Sequence, residues 1–185
     1  MTKRKEYSTP LKLLPGVTVE VTNSTVLVKG SKGELQRNFL NPRITIEKDN
    51  DSLKLFCKKG IKFSQVDKML MNTYRAHIKN LFIGVTKGYH ATLKVCSGHF
   101  PMTVAVEHNI VVIKNFLGEK VPRRVPILAG VKVKVDGDVI AVEGLDKERV
   151  GQTAASIEQG TRITNRDRRI FQDGCFITSK PGEEQ

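Results

Sequence analysis

Two stretches of this chain repeat one another 85 residues apart, and that repetition limits the folds open to it more than any other feature. Val17–Glu34 aligns without a gap on Met102–Glu119. Seven of the eighteen positions are identical: Thr18/Thr103, Val19/Val104, Val21/Val106, Val26/Val111, Lys29/Lys114, Gly33/Gly118 and Glu34/Glu119. A second block, Ile44–Leu55, aligns on Val131–Val142 at an offset of 87, so the second copy carries two extra residues in an enlarged loop. The period is too long for a solenoid, whose units run to ~20–50 residues. Two tandem copies of one small module fit a chain of 185 residues.

Hydrophobic periodicity gives the content of each module. Val17, Val19 and Val21 alternate with Thr18 and Glu20, the two-residue period of a half-buried strand. Asn23–Ser24 then turns the chain into a partner strand, Thr25–Lys29. Gly30–Gly33 turns it again into Glu34–Phe39. Ile44/Ile46 and Leu53/Leu55 form a further hairpin around Asp49–Asn50–Asp51. Ser64 and Asp67 resemble a helix capping box. After them Val66, Met69, Leu70, Thr73, His77, Ile78 and Leu81 recur at three- and four-residue spacing, which predicts the core-facing stripe of a helix. Lys68, Asn72, Arg75 and Lys79 fall on another stripe, and Gly84 is placed to end the helix.

The second module repeats the order. Gly88–Val95 reads as a strand, Thr103–Val106 with Ile110–Lys114 as one hairpin, and Val131–Val135 with Val139–Val142 as another, turned by Asp136–Gly137. A weaker helix follows over Gln152–Thr161, flanked by Gly151 and Gly160, with Val150, Ala154 and Ile157 as its stripe. Cys175–Ile177 closes as a short strand. The expected fold is α+β: two tandem duplicated domains, each a small antiparallel sheet covered by one helix. The expected boundaries are a flexible tail 1–9, a first repeat 10–86, a second repeat 87–180 and a frayed end 181–185. Gly33 and Gly118 are expected to hold positive φ in turns, with Asn115 tolerating the same region in place of Gly30.

Charge narrows the function. Thirty-one Lys and Arg stand against nineteen Asp and Glu, a net charge of +12. That balance points to polyanionic partners. A membrane is the weaker option, since no apolar run nears the ~20 residues of a span and no signal-peptide pattern opens the chain. Cys57, Cys96 and Cys175 are odd in number and far apart, which predicts reduced thiols and an intracellular setting. Cys96–Ser97–Gly98–His99 has ligand-like spacing but lacks the second pair a zinc site needs. Asp49/Asp51 and Asp136/Asp138 sit at hairpin tips, where aspartate favours turns for backbone reasons. No phosphate-binding loop or catalytic motif occurs, so no cofactor and no enzymatic activity are expected.

Basic clusters are the better candidates. Lys120, Arg123 and Arg124 lie between Gly118 and Pro126 in the expected enlarged loop, and Arg162, Arg166, Arg168 and Arg169 fall within eight residues. A solvated basic edge is the plainer reading of either alone. Two clusters in one module, rich in the arginine forks that match phosphate oxygens, favour nucleic acid. The chain could on these grounds be a free RNA-binding regulator, although such modules commonly carry stacking aromatics on their sheets, and Tyr and Phe here total eleven.

Three segments carry a resemblance: His99–Phe100–Pro101–Met102, Ile113–Lys114–Asn115–Phe116–Leu117–Gly118–Glu119–Lys120 and Asn165–Arg166–Asp167–Arg168–Arg169–Ile170–Phe171–Gln172–Asp173–Gly174. With the link Gly84–Tyr89 they resemble the universal sixth family of large-subunit ribosomal proteins, in its archaeal and eukaryotic form. The likeness runs over roughly residues 11–180, and duplication is a trait of that family. Arg168 and Cys175–Phe176 depart from its usual pattern. The resemblance implies a non-catalytic constituent of the large ribosomal subunit. Its partners would be large-subunit rRNA near the sarcin–ricin loop, neighbouring large-subunit and stalk-base ribosomal proteins, and translational GTPases docking nearby. The protein would be cytoplasmic, with nucleolar assembly in a eukaryote. The residues it would place on rRNA are Lys114, Asn115, Lys120, Arg123, Arg124, Arg162, Asn165, Arg166, Arg168, Arg169 and Lys180, all of them in the second repeat.

Overall fold

A computed structural model describes residues 8–49, 52–58 and 63–182. Residues 1–7 of the expected tail 1–9, the tip at Asn50–Asp51 and residues 183–185 of the expected end 181–185 lie outside those residues; Ser8 and Thr9 belong to a strand. The chain divides into two units, Met1–Lys87 and Gly88–Gln185.

The first unit holds strands β1 (Ser8–Lys12), β2 (Thr18–Thr22), β3 (Thr25–Gly30), β4 (Gly33–Asn38), β5 (Ile44–Asp49) and β6 (Ser52–Cys57), then helix α1 (Gln65–Thr86). They form two antiparallel sheets, ordered β1–β6–β5 and β2–β3–β4. Helix α1 packs on strands of both. The alternating valines turn inward as the two-residue period requires: Val19, Val26 and Val28 are buried with Leu53, Leu55, Met71, Ile78 and Phe82. β1 breaks no pattern rule, yet its five residues alternate too weakly to be read beforehand.

The second unit holds β7 (Tyr89–Cys96), β8 (Thr103–Glu107), β9 (Ile110–Lys114), a short 3-10 turn at Phe116–Gly118, β10 (Arg123–Pro126), β11 (Val131–Asp136), β12 (Val139–Gly144), helix α2 (Lys147–Gly160) and β13 (Gly174–Ser179). Its sheets run β11–β12–β7–β13 and β10–β9–β8. The strand order of the first unit therefore recurs, with β13 added beside β7. Each repeat thus has two small sheets where the alternation suggested one.

Register carries the duplication further. Val19 faces Val28 and Val104 faces Ile113, so the offset of 85 is kept across both strands of the hairpin. Ile44 faces Cys57 and Val131 faces Gly144, which keeps the offset of 87. One expected equivalence fails. Leu35 of β4 faces Val28, whereas Arg123 of β10 faces Ile113, an offset of 88. The turn after Lys114 delays β10, so Gly118 and Glu119 match Gly33 and Glu34 in sequence without occupying the same place. Gly33 is a strand residue opposite Gly30, while Gly118 belongs to the turn. Both glycines do hold positive φ, 150° and 80°, and Asn115 is left-handed at 59°.

Helix α1 also departs from its expected face. Val66 and Met69 are 58% and 60% exposed, and Thr73 faces out with them. The buried stripe is Asp67, Met71, Ile78, Leu81, Phe82 and Val85, with Leu70 and Tyr74 partly covered. The rotation follows from a carboxylate. Asp67 closes the capping box with Ser64 and also takes a two-pronged ion pair from Arg43, Nε to Oδ1 and Nη2 to Oδ2, each at 2.7 Å. The Arg43 guanidinium outweighs the burial of that carboxyl and holds it well below the usual carboxylate range. Gly84 is a buried helical residue, not the terminator; the helix runs on to Thr86. Likewise α2 begins at Lys147, capped by Asp146, so Gly151 lies inside it. Burial pushes the Cys175 thiol up to about 11, while Cys57 and Cys96 are half-buried.

Candidate nucleic-acid interface

The three motifs of the second repeat are far apart in sequence and meet in the fold. Asp173, only 3% exposed, joins the first of them to the third. Its Oδ1 accepts the Gly98 N–H at 2.7 Å, its Oδ2 accepts the His99 N–H at 3.2 Å, and His99 Nδ1 lies 3.2 Å from Oδ1. Burial works against the charge on Asp173, yet the Gly98 and His99 donors outweigh it and leave the carboxyl below its ordinary range. The His99 ring in turn rests on Phe171, with centroids 4.7 Å apart. The loop after β7 is thereby clasped to the segment before β13.

The turn after β9 is shaped by backbone conformations that few side chains accept. Asn115, Leu117 and Gly118 all have positive φ, at 59°, 49° and 80°. Leu117 adopts it at a cost, and the burial of Phe116 and Leu117 holds the turn in place. Asn115 Nδ2 donates to the Pro101 carbonyl at 3.0 Å, which joins this turn to the same loop. At the far end of α2, the Thr161 hydroxyl donates to the Glu158 carbonyl at 3.0 Å and accepts the Cys175 N–H at 2.9 Å. Gly160 lets β10 come close: a Cβ there would lie 2.5 Å from Val125 Cγ2.

The expected contact residues divide into two groups on this scaffold. Arg123 is committed inward. It sits in strand β10, not in a loop, with Nε and Nη2 on the Glu119 carboxylate at 2.8 and 2.6 Å. Its Nη1 reaches the carbonyls of Gly160 and Arg162 at 2.9 and 3.1 Å, and its guanidinium lies 4.2 Å from the Phe116 ring centroid. Nη1 thus joins β10 to the end of α2, while Nε and Nη2 tie it to the turn before β10. Arg124, the next residue of β10, faces out. Arg169 is 90% exposed but folds onto Asp167, Nη2 to Oδ2 at 2.7 Å. Lys114 pairs with Glu107 at 3.2 Å on the hairpin surface.

The remaining cations are presented. Lys120, Arg124, Arg162 and Arg168 are exposed, and among the described residues no hydrogen bond or ion pair holds their charged ends. Arg166 is exposed and lies 5.0 Å over the Phe171 ring, so its fork is oriented by a cation–π contact. Asn165, left-handed at φ 60°, turns the chain just before it. Lys180 is exposed beyond β13. The structural residues Asp173, His99, Phe171, Thr161 and Glu119 escape a reading by charge clusters, because their partners are remote in sequence. The one visible sign of them is membership in the three motifs, which Thr161 lacks. Among the described residues no group of three His, Cys, Asp or Glu could hold a metal ion, and no helix is long and apolar enough to cross a membrane.

Fold and edge together define a tandem-repeat α+β protein that presents exposed cations on its second repeat. The sequence pattern of the family described as Ribosomal protein L6 matches residues 15–88 and again 100–174, once per repeat. The chain belongs to the ribosomal protein L6 family, a structural, non-enzymatic one. It is 43% identical over 168 residues to the large ribosomal subunit protein uL6 of Methanobrevibacter smithii, spanning 89% of this chain and 91% of that one. It is 44% identical over 174 residues to the uL6 of Methanococcus vannielii, spanning 92% of each.

Proposed function

We propose that this chain is a structural constituent of the large ribosomal subunit that binds large-subunit rRNA mainly through its second repeat, residues 87–180. The supporting observation is the clasp of Asp173 on Gly98 and His99, which joins two of the family motifs and anchors the segment that presents Arg162, Arg166 and Arg168. The planar arginine fork is pre-organised, so it loses little freedom for each bond it makes to phosphate oxygens. The A-form major groove is too narrow for side chains, so such a surface reads shape, backbone and 2′-hydroxyl groups. We place the contact near the sarcin–ricin loop and the stalk base, where the protein would support assembly and the docking region of translational GTPases, beside neighbouring large-subunit proteins. Sucrose-gradient fractionation of a cell lysate tests the reading. The protein should sediment with large subunits and with whole ribosomes; a protein that stays in the light fractions is not a ribosomal constituent.

A further inference from the structure

Beside the clasp lies a cleft of about 1070 Å³. It is walled by the loop after β7, the end of α2, the segment 162–173 and the outer face of β13. Its lining is mixed in a particular way. The apolar part comes from Ile163, Ile170, Phe171 and Phe176, the cationic part from Arg162 and Arg168.

Phe176 is the unusual member. Cys175 beside it is buried, but Phe176 points outward from β13 and is 41% exposed. Among the described residues no aromatic ring or cation is stacked on it. Gly174 makes room for it: φ there is +153°, and a Cβ would lie 3.4 Å from Phe176 Cζ and 3.3 Å from Thr161 Oγ1. A large ring left half-bare in a concave wall loses hydrophobic stabilisation unless something covers it.

The charges of the cleft indicate what covers it. Its two carboxylates are committed to backbone donors, Asp173 to Gly98 and His99, and Glu158 Oε1 to the Ile177 N–H at 3.2 Å. Its two arginines are exposed, and among the described residues no hydrogen bond or ion pair holds either guanidinium. An aromatic face beside uncommitted guanidinium groups suits a planar ring attached to an anion. A base within a duplex keeps both faces stacked and cannot enter such a cleft, whereas a base in a bulge or loop can.

We propose that the cleft takes one unstacked nucleotide of the RNA, its base laid on Phe176 and its phosphate held by Arg162 and Arg168. This rests on the reading that the second repeat binds rRNA, and it adds a single-nucleotide site to recognition by shape. Two RNA hairpins of one stem sequence test it, the first fully paired and the second carrying a single bulged 2-aminopurine. The full-length protein should bind the bulged hairpin at least about fivefold more tightly, as one stacked base implies, and should change the 2-aminopurine emission. Phe176→Leu should erase that preference while binding the paired hairpin as before. Phe176→Tyr, which keeps the ring, should retain it. Equal wild-type affinities with unchanged emission would overturn the site and leave the RNA-binding reading standing. So would a Phe176→Leu protein that loses both hairpins alike, or one that binds both as wild type does, as a cleft used by a protein neighbour would give. If the wild type binds neither hairpin, both readings fall together.

Discussion

In the first repeat the sheet β1–β6–β5 stops at β1, whereas in the second the matching strand β7 gains β13 on its other side. The second repeat also inserts the left-handed turn at 115–118 ahead of β10. Both additions lie where its arginines gather. The first repeat is the more basic, with 17 Lys and Arg against 7 acids in residues 1–87, compared with 14 against 12 in residues 88–185. Yet four of its basic residues are arginines, against seven in the second. Of those four, Arg43 is spent on Asp67 and Arg37 lies 5.7 Å from the Phe39 ring centroid. Screening beyond about 8–10 Å in physiological salt means that a bound phosphate senses only its nearest few side chains. Net charge and binding capacity can therefore reside in different repeats.

The comparison breaks most visibly at the RNA. Replacing Arg162, Arg166 and Arg169 by Gln should lower the salt dependence of rRNA binding by a slope of roughly 2, at about 0.7 per phosphate contact. The same slope implies a loss on the order of 50-fold in affinity near 0.15 M salt. Replacing Lys3, Lys5 and Lys12 should cost much less. Titrations across a salt series and subunit incorporation are the measurements. An equal or larger loss in the lysine variant would show that net charge governs. Because Arg169 already pairs with Asp167, restoring Arg169 alone should recover the least of the three.

A smaller effect separates how closely sheet and helix approach in each copy. A Cβ on Gly30 would meet the Val85 carbonyl oxygen at 2.8 Å, a backbone atom that cannot rotate away. On Gly144 it would meet Val150 Cγ2 at 2.8 Å, a side-chain methyl. Overpacking of this kind costs about 1–3 kcal/mol. Gly30→Ala should fall near the upper end, Gly144→Ala near the lower. Denaturant midpoints at constant slope give the ranking, and the reverse order would mean that the helix of the first repeat shifts to absorb the methyl.

The smallest effect concerns acid. Among the described residues each repeat buries one carboxylate, Asp67 on an arginine and Asp173 on N–H donors. Both are held below their ordinary range, so the stability they provide is complete above the unfolded value of about 3.9. It is lost as pH falls through the lower folded values. Asp67→Asn should thus destabilise the protein at neutral pH, with the deficit against wild type shrinking below about pH 4. Hydrogen exchange resolved by peptide should place that deficit in residues 8–87. A deficit independent of pH would mean that the carboxylate acts by shape alone.

Much of the fold was open to sequence reading because its signals are local. Alternating valines, the Asp136–Gly137 turn and the Ser64–Asp67 box each act within a few residues, and the paired offsets carried them into both repeats. The face of α1 was not open in the same way. Val66 and Met69 are as apolar as Leu70 and Met71, so periodicity offers two overlapping stripes. The pairing of Asp67 with Arg43, 24 residues away, selects between them. The basic edge was legible as composition, but the fate of each cation was not. Arg123 and Arg124 are neighbours of one chemical type, and strand geometry sends them to opposite faces.

What the sequence determined by itself is the duplication, the pairing of strands within hairpins, the basic character and the absence of a catalytic motif, since each depends on residue type at short spacing or on a count. What only the tertiary structure decided is which charges are spent and which are presented. Asp173 finds Gly98 and His99 across some 75 residues, and Arg123 finds the end of α2 across 37. A charge is worth most beside a partner excluded from water, and that exclusion exists only once the sheets and the helix have closed around it.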